Sequence, residues 1–177
     1  MIKITLDTCL INVSQKLSEI NKLEELNNKG LIEIVATARL IQETENHTKR
    51  LEKAKSFPYI GEPFTVGLSR IGSAYISDGK KRPSFRDIAS ILFPKIDQND
   101  LSKNQSNDVM HLIAHLHSDS DYFVTNNTQD FIDAKRDNHN RDGSYENFKK
   151  NQFEYLGIKV RTPIEVIEEL ENKYGIK

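Results

Sequence analysis

The sequence has few of the features that mark secreted or membrane-bound proteins. Its single cysteine, Cys9, excludes an internal disulfide and a structural zinc site built on several cysteines. No apolar run approaches the roughly 18 residues that would span a bilayer, and the N-terminus lacks the pattern of a signal peptide. We therefore expect a soluble, cytoplasmic protein with no membrane partner.

The chain also has almost no net charge. The chain has 25 lysines and arginines against 26 acidic residues, which gives a net charge of -1. A protein without an overall basic field cannot hold a nucleic acid through long-range attraction alone. Any contact with a nucleic acid must use a local basic patch.

The 177 residues fit one domain, and we expect a single domain over 1–177 with an insertion at about 56–104. Four of the five prolines and four of the eight glycines lie between 56 and 95, where long elements are disfavoured. Within this insertion the sequence predicts only two short helices, at 66–71 and at 87–92.

The first 55 residues predict the order β-α-β-α. Residues 2–6 alternate in the manner of a strand that ends at Asp7, and leucines and isoleucines over 17–26 predict a helix of about 14 residues before a C-terminal Gly30. A second strand is expected at 31–36 and a second helix over 38–55.

The pattern resumes after the insertion. We expect a helix that begins at Ser106 or Asn107, a strand at 122–125 and a polar loop over 137–151. A last strand is expected at 156–160, before a helix that starts with Thr162 as its cap and Pro163 in its first turn. Alternating strands and helices predict a three-layer α/β/α fold with a mostly parallel sheet, whose ligands bind beyond the carboxyl ends of the strands.

Four acidic residues fall where such a sheet would bring them together. Asp7 ends the first strand, Glu43 lies on the helix after the second strand, Asp108 opens the next helix, and Asp130 follows the strand at 122–125. A cluster of carboxylates that close to one another persists only if a cation neutralises it or some of its members are protonated. Ligands that are all oxygen suit Mg²⁺ or Mn²⁺ rather than zinc, and these cations support phosphodiester hydrolysis.

Five segments, in order, resemble the PIN-domain ribonucleases, a family that includes toxins of type II toxin–antitoxin pairs. The likeness rests on Ile-Lys-Ile-Thr-Leu-Asp at 2–7, Val-Ala-Thr at 35–37 followed by Glu43, Asn-Asp-Val-Met-His-Leu-Ile-Ala at 107–114, Asp-Tyr-Phe-Val-Thr-Asn-Asn-Thr-Gln-Asp-Phe at 121–131, and Leu-Gly-Ile-Lys-Val-Arg-Thr-Pro at 156–163.

The resemblance implies that Asp7, Glu43, Asp108 and Asp130 bind one or two Mg²⁺ or Mn²⁺ ions and hydrolyse RNA. It allows an antitoxin protein and a second copy of the chain as partners. Many family members have an aspartate at the position of Asn127, so we expect Asp130 to be the fourth acid, with Asn127 supporting it through a hydrogen bond or a water. The resemblance also gives the Thr125 hydroxyl a supporting role, to position a water or an acid.

Three alternatives stand beside this prediction. A haloacid-dehalogenase-type phosphotransferase would need a second aspartate two residues after Asp7, where Cys9 stands. The spacing of His111 and His115 is one that zinc sites use, but no third soft ligand accompanies them, so packed or hydrogen-bonded histidines are the simpler interpretation. A catalytically weakened domain that binds RNA or a protein is the remaining alternative.

Two basic clusters are candidates for phosphate contacts at the rim of the site. One lies in the insertion and consists of Lys80, Lys81, Arg82 and Arg86, and the other is the pair Lys149 and Lys150. Such clusters are more often solvated surface, but a neutral protein that binds RNA needs a local patch of this kind.

Overall fold

The structure is a computed structural model that describes residues 1–11, 17–63, 74–75, 82–132 and 148–176. Its strands are β1 Ile2–Leu6, β2 Ile32–Thr37, β3 Tyr59–Ile60, β4 Glu62–Pro63, β5 Ala74–Tyr75, β6 Tyr122–Val124 and β7 Val160–Arg161. Its helices are α1 Ser18–Asn28, α2 Ala38–Thr44, α3 Thr48–Lys55, α4 Phe85–Leu92, α5 Lys103–His117, α6 Thr128–Phe131, α7 Phe148–Tyr155 and α8 Pro163–Tyr174. A single 3-10 turn, Thr8–Leu10, follows β1.

The central sheet has five strands in the order β3-β2-β1-β6-β7, and every neighbouring pair is parallel. The register pairs Ile2 with Ile32 on one side of β1 and Ile4 with Tyr122 on the other. Because all five strands run the same way, their carboxyl ends share one edge. The predicted α/β fold is confirmed, with the sheet wholly rather than mostly parallel.

Helices cover both faces of the sheet because the side chains of each strand alternate in direction. Ile4 and Leu6 of β1 pack in one apolar cluster with buried residues of α1 and α8. Phe123 of β6 faces the other way, into a second cluster with residues of α4, α5 and α7. Within the described ranges, no helix combines the length and hydrophobicity needed to cross a bilayer.

The predicted helix boundaries agree with the structure at the start of α8 and differ from it at α1 and α5. Thr162 caps α8 and forms a capping box with Glu165, as expected. Helix α1 is shorter than predicted, at 11 residues, but Gly30 adopts the expected positive φ of 69° just after it. The predicted start of α5 was wrong, because Ser102 and Gln105 form a capping box that begins the helix a turn before Ser106.

The single helix predicted over 38–55 was also wrong. Helix α2 ends at Thr44, and α3 begins at Thr48. The buried Thr44 hydroxyl donates to the carbonyls of Leu40 and Ile41, at 2.8 and 3.0 Å. This back-bonding competes with the helical hydrogen-bond pattern and favours a bend. The apolar periodicity of the segment does not predict this break between α2 and α3.

The region at 56–104, treated above as an insertion, also contributes to the main fold. Its first strand, β3, forms the edge of the central sheet beside β2. The helix predicted at 87–92 is confirmed as α4, capped by Ser84. The helix predicted at 66–71 lies outside the described residues.

The end of the chain differs from the prediction in two places. The loop predicted over 137–151 gives way at Phe148 to α7, and the rest of that loop lies outside the described residues. The last strand is shorter and later than predicted, at Val160–Arg161 instead of 156–160. Gly157, with a positive φ of 84°, turns the chain between α7 and this strand.

Candidate active site

Asp7 and Thr125 lie side by side at the carboxyl edge of the sheet. The register of β1 and β6 pairs Leu6 with Val124, and the Asp7 amide continues that pairing by donating to the Val124 carbonyl at 2.9 Å. The residues that follow the two strands therefore meet just beyond the sheet. This is the edge at which ligands bind in open parallel sheets.

The Asp7 carboxylate is 6% exposed and is held by neighbouring donors. Its Oδ2 accepts the Thr125 hydroxyl at 2.5 Å and the Cys9 thiol at 3.2 Å. The Thr125 Oγ1 in turn accepts a hydrogen bond from the backbone amide of Asn127 at 2.9 Å. Cys9 as a whole residue is exposed, but its thiol lies against the protein. Desolvation of the thiol and the negative charge of Asp7 raise the pKa of Cys9 to about 12. Thr125 therefore orients the acid directly, and the neighbouring thiol stays protonated.

Asp130 lies on the single turn of α6 and is tied to Asn127. The Asn127 side-chain amide donates to Asp130 Oδ2 at 2.9 Å, and the Asp130 amide donates back to Asn127 Oδ1 at 3.4 Å. Lys149 of α7 donates to the Asp130 carbonyl at 3.0 Å. Asn127 thus contacts the acid that the sequence predicts as the fourth of the set.

Glu43 enters the site from α2, a helix capped by the Thr37 side chain, which accepts the Leu40 amide at 3.3 Å. The Thr8 hydroxyl donates to Glu43 Oε2, and His111 Nε2 lies 3.1 Å from the same oxygen. Glu45, the other acid of this region, is exposed beyond the helix end.

The pKa of Glu43 is low because its partners outweigh its burial. Burial favours the neutral acid, but hydrogen bonds from His111, Thr8 and Asn107, together with the charge of His111, lower the pKa of Glu43 to about 2. Glu43 is therefore an anion at neutral pH.

Asp108 lies in the second turn of α5, because the helix begins earlier than predicted. It does not open the helix, so a simple charge–dipole role at the first turn is excluded. Burial and the negative charges of Asp7, Asp130 and Glu43 raise its pKa to about 7, against the opposing effect of His111. The four acids predicted from the sequence thus act on one another electrostatically.

The donor set fits a hard divalent cation chemically, although its ligand geometry is not assembled. Among the described residues, no group of three or more acids, histidines or cysteines is placed to hold a metal ion together. The four acids offer only oxygen atoms, and their mutual repulsion is what a bound cation would remove. Protein donors orient three of them: Thr125 for Asp7, His111 for Glu43 and Asn127 for Asp130.

His111 and His115 of α5 are packed and hydrogen-bonded, as the simpler interpretation of the sequence predicted. Both are 1% exposed. His111 faces Glu43, whereas His115 Nδ1 lies 2.6 Å from the Thr5 hydroxyl. Burial lowers the pKa of His115 to about 3. For His111 burial acts in the same direction, but Glu43, Asp7 and Asp108 outweigh it and raise the pKa.

Arg82, from the first basic cluster, lies away from the four acids. Arg82 pairs with Asp119 at 3.1 Å and contacts His117 at the far end of α5, roughly 13 Å along the helix from Asp108. Arg86 is exposed in the first turn of α4. Lys80 and Lys81 lie outside the described residues.

Both lysines of the second basic cluster, Lys149 and Lys150, bind other groups of the protein. Lys149 donates to the carbonyls of Leu92 and Asp130, each at 3.0 Å. Lys150 pairs with Glu165 at 2.6 Å. These contacts give both lysines a structural role in the attachment of α7.

Sequence reasoning missed the groups that surround the acids. Thr8 and Asn107 stand directly beside Asp7 and Asp108 in the chain, and that adjacency was the available signal. Arg39 is 5% exposed and donates to Asn107 Oδ1 at 3.2 Å. A buried arginine is uncommon unless it is paired. Its position in the first turn after an apolar strand was the corresponding signal.

Comparison of the chain with protein-family models, curated proteins and solved structures finds no match. The geometry of the site and the resemblance of its segments are therefore the basis for a functional proposal.

Proposed function

We propose that this protein is a metal-dependent endoribonuclease of the PIN-domain type that hydrolyses RNA phosphodiester bonds. The observation that carries the proposal is the placement of Asp7, Glu43, Asp108 and Asp130 at the carboxyl edge of the sheet, where burial and the charges of the other three acids raise the pKa of Asp108. Acids that come from four separate segments and repel one another at the ligand-binding edge of a parallel sheet are costly for a fold. A cation-binding function explains why they are gathered there.

Each of the four acids has a part in this proposal. Asp7, Glu43, Asp108 and Asp130 would hold Mg²⁺ or Mn²⁺, which when bound supplies a more acidic water and neutralises charge on the phosphate. Glu43 is ionised before any cation arrives, because its pKa is about 2. Asp108 must lose its proton to become a ligand, so cation binding is expected to weaken below pH 7.

The RNA substrate and the partners come from the resemblance of the five sequence segments. The same resemblance supports a role as the toxin of a toxin–antitoxin pair, with an antitoxin protein and a second copy of the chain as partners. A cytoplasmic location accords with this role. Two described basic residues lie beside the acids: Arg39 donates to Asn107, and Lys149 donates to the Asp130 carbonyl.

A second candidate function is a catalytically weakened domain that binds RNA or a protein. It is favoured by the neutral Asn127 at the position of an aspartate and by the lack, among the described residues, of an assembled group of metal ligands. In this case the carboxyl edge of the sheet would keep its structure but would not hydrolyse RNA.

The test is cleavage of single-stranded RNA by the full-length chain, with Mn²⁺ and with EDTA. Asp7→Asn should lower the manganese-dependent rate by at least about 100-fold, beyond the 10- to 100-fold typical of residues that only support a metal ligand. The matched control is Asp121→Asn, because Asp121 bonds the Lys3 amide at the opposite end of the same two strands. Cleavage that survives Asp7→Asn contradicts the site, and RNA binding without cleavage by the parent favours the binding module.

A further inference from the structure

His111 is placed to control the orientation of Glu43. It is 1% exposed, and its Nε2 lies 3.1 Å from Glu43 Oε2 and 3.3 Å from the Thr8 hydroxyl. The Thr8 hydroxyl donates to the same glutamate oxygen. Two donors from different segments, the turn after β1 and the middle of α5, therefore converge on one oxygen of a side chain from α2.

The ionised state of Glu43 sets the direction of this contact, because a carboxylate can only accept hydrogen bonds. His111 Nδ1 is buried and has no hydrogen-bond partner in the described part of the chain. Nε2 carries the hydrogen that Glu43 accepts, either in the neutral Nε2–H tautomer or in the imidazolium. The His111 ring is therefore a donor to Glu43. Within the described residues, Glu43 is the carboxylate to which His111 is hydrogen-bonded.

His115 shows what a histidine with a purely structural role looks like on the same helix. It is equally buried and lies one turn further along α5. Its Nδ1 contacts the Thr5 hydroxyl inside the sheet layer, and its ring packs edge-on against Phe123 at 5.8 Å. Within the described residues, no hydrogen bond or ion pair joins the His115 side chain to an acid. The two residues differ in what they touch, and only His111 touches a proposed cation ligand.

We propose that His111, assisted by Thr8, is a positioning residue that fixes Glu43 in the orientation needed for cation binding. Glu43 is 26% exposed on its side chain and has three rotatable bonds, so without partners it would sample solvent-facing rotamers. Partners of metal ligands typically change metal affinity by 10- to 100-fold when removed. The inference rests on the cation site proposed above and adds the residue that orients Glu43 within it.

The experiment measures Mn²⁺ binding to the full-length chain by calorimetry, with no RNA present. His111→Leu removes the donor and keeps the volume, and it should weaken Mn²⁺ binding by about tenfold or more. His111→Gln keeps a donor near the position of Nε2 and should bind Mn²⁺ within about threefold of the parent. His115→Leu, the matched control, should also bind within about threefold, whatever its effect on stability.

A second measurement detects the contact without any metal. Thermal unfolding in EDTA of the parent, His111→Leu, Glu43→Gln and the double variant forms a double-mutant cycle. We expect the effect of His111→Leu on the melting temperature to be smaller in the Glu43→Gln background, because the shared hydrogen bond is already weakened. Equal effects in both backgrounds would overturn the proposed contact.

The outcomes separate this inference from the proposed function. If the parent binds Mn²⁺ and folded His111→Leu binds it equally well, the positioning role is refuted while the cation site stands. If His115→Leu weakens binding as much as His111→Leu, the effect is general to α5 and the inference is likewise refuted. If the parent binds no Mn²⁺, the cation site itself fails and the inference fails with it.

Discussion

Asp108 makes the metal-free protein less stable as the pH rises, and Asp108→Asn should remove that dependence. In the folded state burial and the charges of Asp7, Asp130 and Glu43 raise the pKa of Asp108 from its ordinary value of 3.8 to about 7. A group whose folded-state pKa is raised stabilises the fold fully below its unfolded pKa. That contribution is lost as the pH rises from about 4 through about 7.

The magnitude follows from the two pKa values. One unit of difference in pKa corresponds to about 1.4 kcal/mol. The full loss for Asp108, complete at pH 8, is therefore at most about 4 kcal/mol, and about 3 kcal/mol of it develops between pH 5 and pH 8. His111, whose pKa is also raised, contributes in the same direction, so the variant has to be compared with the parent at both pH values.

The assay is urea unfolding in EDTA at pH 5 and pH 8. The parent should lose more stability between the two pH values than Asp108→Asn does, by an amount up to about 3 kcal/mol. Asp121→Asn, a surface change at the other edge of the sheet, should follow the parent. If Asp108→Asn shows the same pH dependence as the parent, Asp108 is not held protonated by its neighbours and the cluster has been misinterpreted.

Two further substitutions test the supports of the site. Thr125→Val removes the hydroxyl that donates to Asp7 and should cost about 1–3 kcal/mol in urea unfolding, because a buried carboxylate loses a donor. Thr125→Ser should retain most of that stability, and equal losses in the two variants would assign the effect to packing. Ser102→Ala removes the cap of α5 and should cost about 1 kcal/mol, whereas Ser90→Ala in the exposed face of α4 should cost less. Equal effects of the two serine changes would argue against Ser102 as the residue that sets the start of α5.

The fold was predictable where local chemistry and periodicity agree. The alternation at 2–6, the glycine after α1 and the capping box at Thr162 each have a local physical cause, and each appears at the expected place. The break between α2 and α3 depends on the Thr44 hydroxyl, which is buried only because the helix packs on the sheet. The edge strand β3 has two residues and depends on its neighbour β2. Such features are tertiary, and a linear pattern does not encode them.

The candidate site was likewise predictable only in part from the sequence. The rule that ligands bind at the carboxyl ends of parallel strands, together with the resemblance of the five segments, grouped Asp7, Glu43, Asp108 and Asp130 from the sequence. It could not reveal that His111 contacts Glu43, because those residues are 68 positions apart and meet only when α2 and α5 pack together. It also misplaced Arg82, whose charge is neutralised by Asp119 at the other end of α5.

The most direct measurement is a crystal structure of the full-length chain with Mn²⁺, located by anomalous scattering. The proposed function predicts manganese bound among the carboxylates of Asp7, Asp108 and Asp130 at the carboxyl edge of the sheet. Crystals grown at saturating Mn²⁺ with no manganese at that edge, or with these carboxylates turned away from one another, would contradict the proposed cation site and the nuclease function built on it.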